Sequence, residues 1–423
     1  MGGVVIATLR PFVELSLVVI RTIPQIMVTP GLAFAFWLVV WLVSMQYRRV
    51  ASNEQRLYGA VKNPVGRQVV MAIVYGLGGG IFASLLLVTV GVTLTNSGVF
   101  YLLPLALFLY FVNPRLMCFS YAGGLVSVSS LLLGWPVVSV PAIMALVAVL
   151  HITESLLIWF SGAGCITPLF IKNDRSEVVG AYSMQRFWPV PLVVLFVVSV
   201  PDISQLAGLI HMPNWWPLIG ADVTTLPATH TFIYTLGPVV AALGYSDLAV
   251  GSSPLEKSRR TAGYLAVYSI SLLLLSVLAP RLYIFRWVAA LFGPLGHELV
   301  ISLSSRGELG SRPFFTHPAR GIRVLDVLPG GPAARAGLLP GDVIHSVNGV
   351  EVNSRDELRQ VMADFPWGLE LVIQRRGRTG SLVFPGPVEN LNMVTAPEPG
   401  DDANVDLRRS GRLAAWLRRK AGR

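Results

Sequence analysis

Charge is what this chain has least of: 13% of its 423 residues are Asp, Glu, Lys or Arg, against 53% hydrophobic. That is too little polar surface to cover a soluble globule of this length, which excludes an ordinary water-soluble enzyme. Cysteine is equally scarce. Cys118 and Cys165 are the only two, both within or beside apolar stretches, so a disulfide framework is excluded, a thiolate metal site gains no support, and both read as small buried residues. Acidic residues are outnumbered, 23 to 33, and the resulting charge of +10 sits in loops and tail. This distribution suits an anionic membrane surface and not nucleic acid. A cleavage site is missing too: Arg10 and Glu14 interrupt Val4 to Ile20, so residues 1–28 read as an interfacial amphipathic helix, not a removable signal.

What the chain does have is apolar runs long enough to cross about 30 Å of hydrocarbon. They fall at 29–46, 69–95, 97–112, 117–135, 139–160, 189–208, 231–245 and 262–280, giving a multi-spanning domain over residues 29–305. Leu282 to Leu303 is apolar but carries Arg286, His297 and Glu298; it crosses, re-enters or lies against the bundle. Orientation follows from lysine and arginine in short loops. Arg48, Arg49, Arg56, Lys62 and Arg67 lie in 47–68, Lys172, Arg175 and Arg186 in 171–188, and Lys257, Arg259 and Arg260 in 246–261, whereas 211–230 has neither residue type. The three basic loops are expected in the cytoplasm, and 211–230 outside with Trp215 and Trp216 as an interfacial anchor. A cytoplasmic C-terminus then requires 282–303 to cross.

Residues 312–386 have a different texture. Gly321-Ile-Arg-Val-Leu-Asp-Val327 alternates as a strand, and Pro332-Ala-Ala-Arg-Ala336 closed by Gly337 reads as a short helix with Pro at its first turn. Leu339-Pro-Gly-Asp-Val-Ile344 leads into a strand, Asn348-Gly349 makes a tight turn, and Ser354 with Glu357 forms a capping box for a helix to about Ala363. Leu369 to Gln374 and Ser381 to Phe384 then pair across a turn at Gly377. This order resembles the PDZ domains of bacterial proteases and adaptors. The fold class expected is therefore a polytopic α-helical membrane bundle followed by a C-terminal PDZ domain, a small barrel-like α+β module. The resemblance implies that a partner's chain end adds as a strand beside Ile322 to Leu325, covering Ile322, Arg323 and Val324, with its carboxylate held by the turn at Arg320 and Gly321. Leu358 and Met362, one turn apart, line the other wall of the groove or simply belong to the core.

Within the bundle, His151 and Glu154 lie one turn apart in an apolar span, which calls for a task or for a helix-packing hydrogen bond. Gly296-His-Glu-Leu-Val-Ile301 is similar to the His-Glu-x-x-His zinc motif of intramembrane site-2-type proteases, but Ile301 stands where the second histidine belongs. No catalytic residue, metal ligand or cofactor is therefore assigned, and a PDZ-bearing metalloprotease, or its inactive relative, is the alternative to a binding protein. A transporter would show two related halves with broken helices. No internal repeat is present, and Gly76, Gly78, Gly79 and Gly80 read as a close-packing surface.

Asn113-Pro-Arg-Leu-Met-Cys-Phe-Ser-Tyr-Ala-Gly-Gly124, His151-Ile-Thr-Glu-Ser-Leu-Leu-Ile158, Gln185-Arg-Phe-Trp-Pro-Val-Pro191 and Gly293-Pro-Leu-Gly-His-Glu298, followed by the module, resemble the MinJ-like membrane proteins of Gram-positive bacteria over about residues 29 to 390. The resemblance implies a scaffold of cell-division site selection that links the curvature-sensing protein DivIVA to the MinD ATPase. Within the basic tail, assigned to 387–423, the part beyond Pro399 departs from that pattern. Leu413, Trp416 and Leu417 interrupt Arg408, Arg409, Arg412, Arg418, Arg419 and Lys420 there, a composition expected to engage anionic lipid.

Overall fold

The computed structural model describes residues 2–95, 97–172, 177–200, 208–220, 231–309, 312–365, 367–385 and 387–403. The expected lipid-binding tail lies outside the described residues from position 404 onward. Six helices come first: α1 (Gly2–Ile26), α2 (Leu32–Tyr58), α3 (Val65–Val90), α4 (Val99–Val112), α5 (Phe119–Leu133) and α6 (Val140–Ser161). Three strands follow, β1 (Ile166–Lys172), β2 (Val178–Val200) and β3 (Thr231–Ala249), and then α7 (Pro254–Leu278) and α8 (Ile284–Leu309). Local chemistry fixes the ends. Gly59 and Gly91 close α2 and α3 in the left-handed conformation, and Ser253 with Glu256 forms a reciprocal capping box in front of Pro254 at the start of α7.

Among the described residues, four helices are long and apolar enough to cross a bilayer, at Val65–Val90, Val140–Gly164, Pro254–Leu278 and Ile284–Glu308. The α6 span is the most enclosed: nearly every residue from Val140 to His151 is buried, so it forms the axis around which the others pack. Their outer faces are oily. Phe100, Phe108 and Phe111 on α4 and Leu132 and Leu133 on α5 are all more than half exposed, as lipid-facing side chains are and a water-facing surface is not. The segment 282–303 forms most of α8, one of the four candidate crossings. Helix α1 forms as expected, but Val19, Ile23 and Ile26 bury against Phe36, Val88, Val193 and Trp216, so it packs on the bundle as well as presenting an apolar outer face.

Two expected spans, 189–208 and 231–245, are corrected. Their described residues up to Val200 and from Thr231 are not helices but the long arms of an antiparallel sheet with strand order β1-β2-β3, in which Tyr182 to Val200 pairs with Ala249 to Thr231. Pairing with β1 ends at Met184, so the outer edge of β2 beyond it lies against α3. There Val193 N–H donates to Ser84 Oγ at 2.8 Å, Leu94 N–H to the Leu195 carbonyl at 2.9 Å, and Val197 N–H to Thr95 Oγ1 at 2.8 Å. Pro189 and Pro191 occupy this edge, where no strand asks for an N–H. Non-helical backbone is tolerated beside apolar helices because its polar groups are met by protein.

The glycines of α3 explain how a strand sits so close. A Cβ on Gly76 would lie 2.1 Å from the Pro189 carbonyl oxygen, and one on Gly80 2.1 Å from that of Pro191. Four helical residues rise about 6 Å and two strand residues about 6.6 Å, so Gly76, Gly80 and Ser84 keep step with Pro189, Pro191 and Val193. Gly79 faces Thr153 and Leu157 of α6, while Gly78 meets nothing within 4 Å. The close-packing surface is real for three of the four glycines, and its chief partner is a strand.

The C-terminal module contains β4 (Ile322–Val327), α9 (Pro332–Arg335), β5 (Val343–Val347), β6 (Val350–Glu351), α10 (Arg355–Asp364), β7 (Gly368–Arg375), β8 (Arg378–Pro385) and β9 (Met393–Thr395). Its sheet runs β8-β7-β5-β4-β9 with β6 on β5. Strand β9 lies beyond the expected boundary at 386, so part of the presumed tail completes the fold. Ile322, Val324, Ile344, Val347, Leu358, Leu371 and Phe384 share its core.

Candidate functional site

The peptide-binding residues expected from sequence are distributed unevenly. Ile322, Val324 and Leu358 lie in the core, with Met362 half-buried at its margin. Gly321 takes φ +83°, donates its N–H to Asn353 Oδ1 at 2.8 Å, and has the Ile344 carbonyl oxygen 2.5 Å from where a Cβ would stand. It is a structural turn. Arg320 is exposed, whereas Arg323 turns back to donate to the Phe314 carbonyl at 3.2 Å. The expectation that Ile322 to Leu325 offers a free edge is corrected: β5 pairs with one side of β4 and β9 with the other.

The edge strand on this side is therefore β9. Val324 exchanges bonds with Asp342 and Gly341 on the β5 side, and Ala396 N–H donates to the Arg323 carbonyl at 2.8 Å. By the alternation of an antiparallel pair, Thr395 turns its backbone groups outward. The chain leaving β9 runs to the start of α10, where Glu398 Oε1 accepts from Arg355 N–H at 2.6 Å and Asp401 pairs with the Arg355 guanidinium. Burial works against the Asp401 charge, but the Arg355 hydrogen bond and the Glu398 N–H prevail and hold its carboxyl below the usual aspartate range. Asn392, just before β9, takes φ +54°, a conformation asparagine accepts readily.

The module is also fastened to the bundle. Asp326 receives Tyr58 Oη and, at 2.5 Å, Lys62 Nζ; Tyr182 Oη donates to the Leu325 carbonyl at 2.5 Å; and Asn392 Nδ2 donates to the Tyr58 carbonyl at 2.9 Å. Burial, followed by the neighbouring Asp326 carboxylate, pushes the Tyr58 phenol far above its ordinary value, so it stays a donor. Gly180 of β2 donates to the Phe315 carbonyl at 2.8 Å. These contacts put the basic 47–68 loop and the module on one side of the bundle. Two expected roles change at this junction and beyond it. Lys257, counted as a loop charge, is fully buried between Asp247 at 3.1 Å and the Ser304 carbonyl at 2.9 Å, and Trp216, expected as an interfacial anchor, is buried with Nε1 donating to the Val88 carbonyl at 3.0 Å.

A second site lies where four apolar helices, α5, α6, α7 and α8, meet. Arg115 and Tyr121 both reach Glu298, at 3.0 and 2.6 Å. Ser120 Oγ donates to the Gly293 carbonyl at 2.7 Å, and Tyr268 Oη donates to it at 2.9 Å. Cys118 Sγ lies 3.0 Å from His151 Nε2, and the His151 and His297 rings stand edge to face at 5.2 Å. Small residues permit this approach: a Cβ on Gly124 would lie 2.5 Å from Pro294, and one on Gly296 2.8 Å from Tyr268. Three motifs remote in sequence thus converge on one cluster. Sequence reasoning took His151 with Glu154, took His297 with Glu298 as one motif, and set Cys118 aside; the spacing along the chain held no signal that these groups meet.

Comparison with known proteins agrees with this architecture. Residues 323–375 match the PDZ domain family. The chain is 26% identical over 223 residues to the cell division topological determinant MinJ of Bacillus subtilis, covering 52% of each protein. It is also 44% identical over 78 residues to the magnetosome formation protease MamE of Magnetospirillum gryphiswaldense, covering 18% of this chain and 9% of that protein. The chain spans about half the length of MinJ and a small part of MamE. It is a polytopic helical membrane protein that carries a PDZ domain and is similar to MinJ.

Proposed function

We propose that this protein is a membrane-anchored adaptor that recruits partner proteins at the cytoplasmic face, in the selection of the cell-division site. The observation that supports it most is a PDZ module fastened to a membrane bundle through Asp326, in a chain similar to a protein named as a division determinant. The receiving edge is the outer side of β9, facing α10, with Met362 and Leu358 on the helical wall and β4, from Ile322 to Val324, backing the strand. Main-chain bonds give affinity there once the chain leaving β9, buried from Val394 to Pro397 in this structure, moves aside, and the apolar wall gives selectivity. Partners of the kind that the MinJ resemblance implies, DivIVA-like and MinD-like, are cytoplasmic, in keeping with basic residues gathered on the module's side. Support for the protease alternative is weaker: Glu298, the would-be general base, is engaged by Arg115 and Tyr121.

A photo-crosslinking side chain at Met362, in whole cells, tests the proposal against one at Val383, which is exposed on β8 at the opposite edge of the sheet. Capture of a cytoplasmic division protein from Met362 and not from Val383 is expected. Capture from Val383 alone overturns the choice of edge, and capture only of proteins outside the cell overturns the orientation.

A further inference from the structure

We propose that Cys118, His151 and His297 bind a zinc ion inside the membrane bundle, independently of the peptide site. One donor atom from each of the three lies within 4.8 Å of the others. Zinc takes thiolate sulfur near 2.3 Å and imidazole nitrogen near 2.0–2.1 Å, so tetrahedral donors stand roughly 3.5 Å apart, within reach of small side-chain rotations.

The surroundings prepare each donor. His151 Nδ1 lies 2.7 Å from the Val147 carbonyl, which only accepts, so Nδ1 carries the proton and the Nε2 lone pair faces Cys118 Sγ at 3.0 Å. A second nitrogen donating to a backbone carbonyl is the usual support of a metal-bound imidazole. Cys118 sits at the N-cap of α5, where its sulfur accepts from Ser120 N–H at 3.4 Å. His297 Nδ1 is buried with no hydrogen-bond partner among the described residues, an uncompensated polar atom beside two ligand groups. Tyr121 and Tyr268 stand edge-on to the His297 ring at 5.3 and 5.9 Å, which excludes bulk water from that side.

One thiolate and two imidazoles select a borderline or soft ion over magnesium or calcium. Three protein ligands leave the fourth position of a tetrahedron for water. Binding proceeds with loss of the Cys118 thiol proton to solvent and formation of one Zn–S and two Zn–N bonds, with no change of oxidation state. The ion ties the start of α5 to α6 and α8.

The test uses the full chain purified in detergent, stripped with a chelator and titrated with Co²⁺, which reports thiolate ligation by its sulfur-to-cobalt charge-transfer absorption. Wild type is expected to take up one Co²⁺ with that absorption and to lose it on stoichiometric Zn²⁺ addition. Cys118→Ser should abolish the absorption, and His297→Gln should weaken Co²⁺ affinity at least tenfold. Cys165→Ser, which removes a buried thiol packed elsewhere, should leave the titration unchanged. A wild-type protein that binds Co²⁺ without the sulfur band, or not at all, overturns the proposal. So does loss of the band in Cys165→Ser with retention in Cys118→Ser. The wild-type titration needs no variant, so a misfolded mutant does not decide the outcome.

Discussion

Single atoms set the closest approach between helix and strand. Because the Cβ of any residue at position 76 would sit 2.1 Å from a backbone oxygen of β2, the neighbour cannot rotate away. Gly76→Val is therefore expected to cost at least the 1–3 kcal/mol or so typical of overpacking, and Gly80→Val a similar amount. Gly78→Ala, with nothing within 4 Å, should be neutral or mildly stabilising, since alanine favours a helix by about 1 kcal/mol over glycine. Thermal unfolding in detergent, followed by fluorescence-detected size exclusion, checks the pair. Equal melting of Gly76→Val and Gly78→Ala would rule out close packing of β2 on α3 at these glycines. The same geometry makes Gly321 unsuitable as a probe of ligand binding: its positive φ and crowded Cβ direction mean that a bulky substitution disturbs the module itself.

Short elements depend on their neighbours for stability, and β9 is the clearest case. Three residues of strand are marginal alone; β9 is held by β4 on one side and, through Glu398 and Asp401, by Arg355 at the start of α10. The Asp401 carboxyl is held below its ordinary value when folded. Its contribution is thus fully present above the unfolded aspartate pKa and is lost as pH falls through the lower folded value. Protection of residues 393–398 against amide exchange, relative to the intrinsic rate at each pH, should fall on acidification in that window, and Asp401→Asn should remove most of this pH dependence while leaving protection in β5 and β7 unchanged. A variant with the wild-type pH profile would show that the latch carries no such linkage. The same dependence on neighbours holds for the β2–β3 pair, whose valines at 190, 193, 194, 197, 198 and 200 favour a strand only because a partner strand and α3 satisfy the backbone.

At the scale of the whole molecule, the module and the bundle form one connected body through Asp326. The Lys62 and Asp326 side chains are only 11% and 6% exposed, and removing one partner of a buried pair leaves the other uncompensated at about 3–5 kcal/mol. Asp326→Ala is expected to raise the undocked population roughly 100-fold or more, seen as faster proteolysis between α8 and β4 with the bundle intact. Unchanged proteolysis would mean that the Tyr182 and Asn392 contacts suffice. If a partner strand at β9 disturbs Asn392, docking and recruitment are linked, and Asp326→Ala should then alter the capture yield from Met362 as well.

Composition alone determined that this chain belongs in a membrane, because apolar length and scarce charge allow nothing else, and the ordered signals from Gly321 to Phe384 specified a PDZ module, because caps and turns act over a few residues. The spans at 139–160 and 262–280 were legible for the same local reason: α-helices satisfy their own backbone. The tertiary structure decided what local pattern leaves ambiguous. A Val-rich apolar run reads alike as a buried strand or a spanning helix, and only pairing with β3 and the fit of Pro189 and Pro191 against Gly76 and Gly80 settle it. Strand β9 takes its place from β4 and α10, beyond the reach of pattern. Cys118, His151 and His297 are separated by 33 and 146 residues of chain and meet only because Gly124 and Gly296 let their helices close, a contact set by packing in three dimensions.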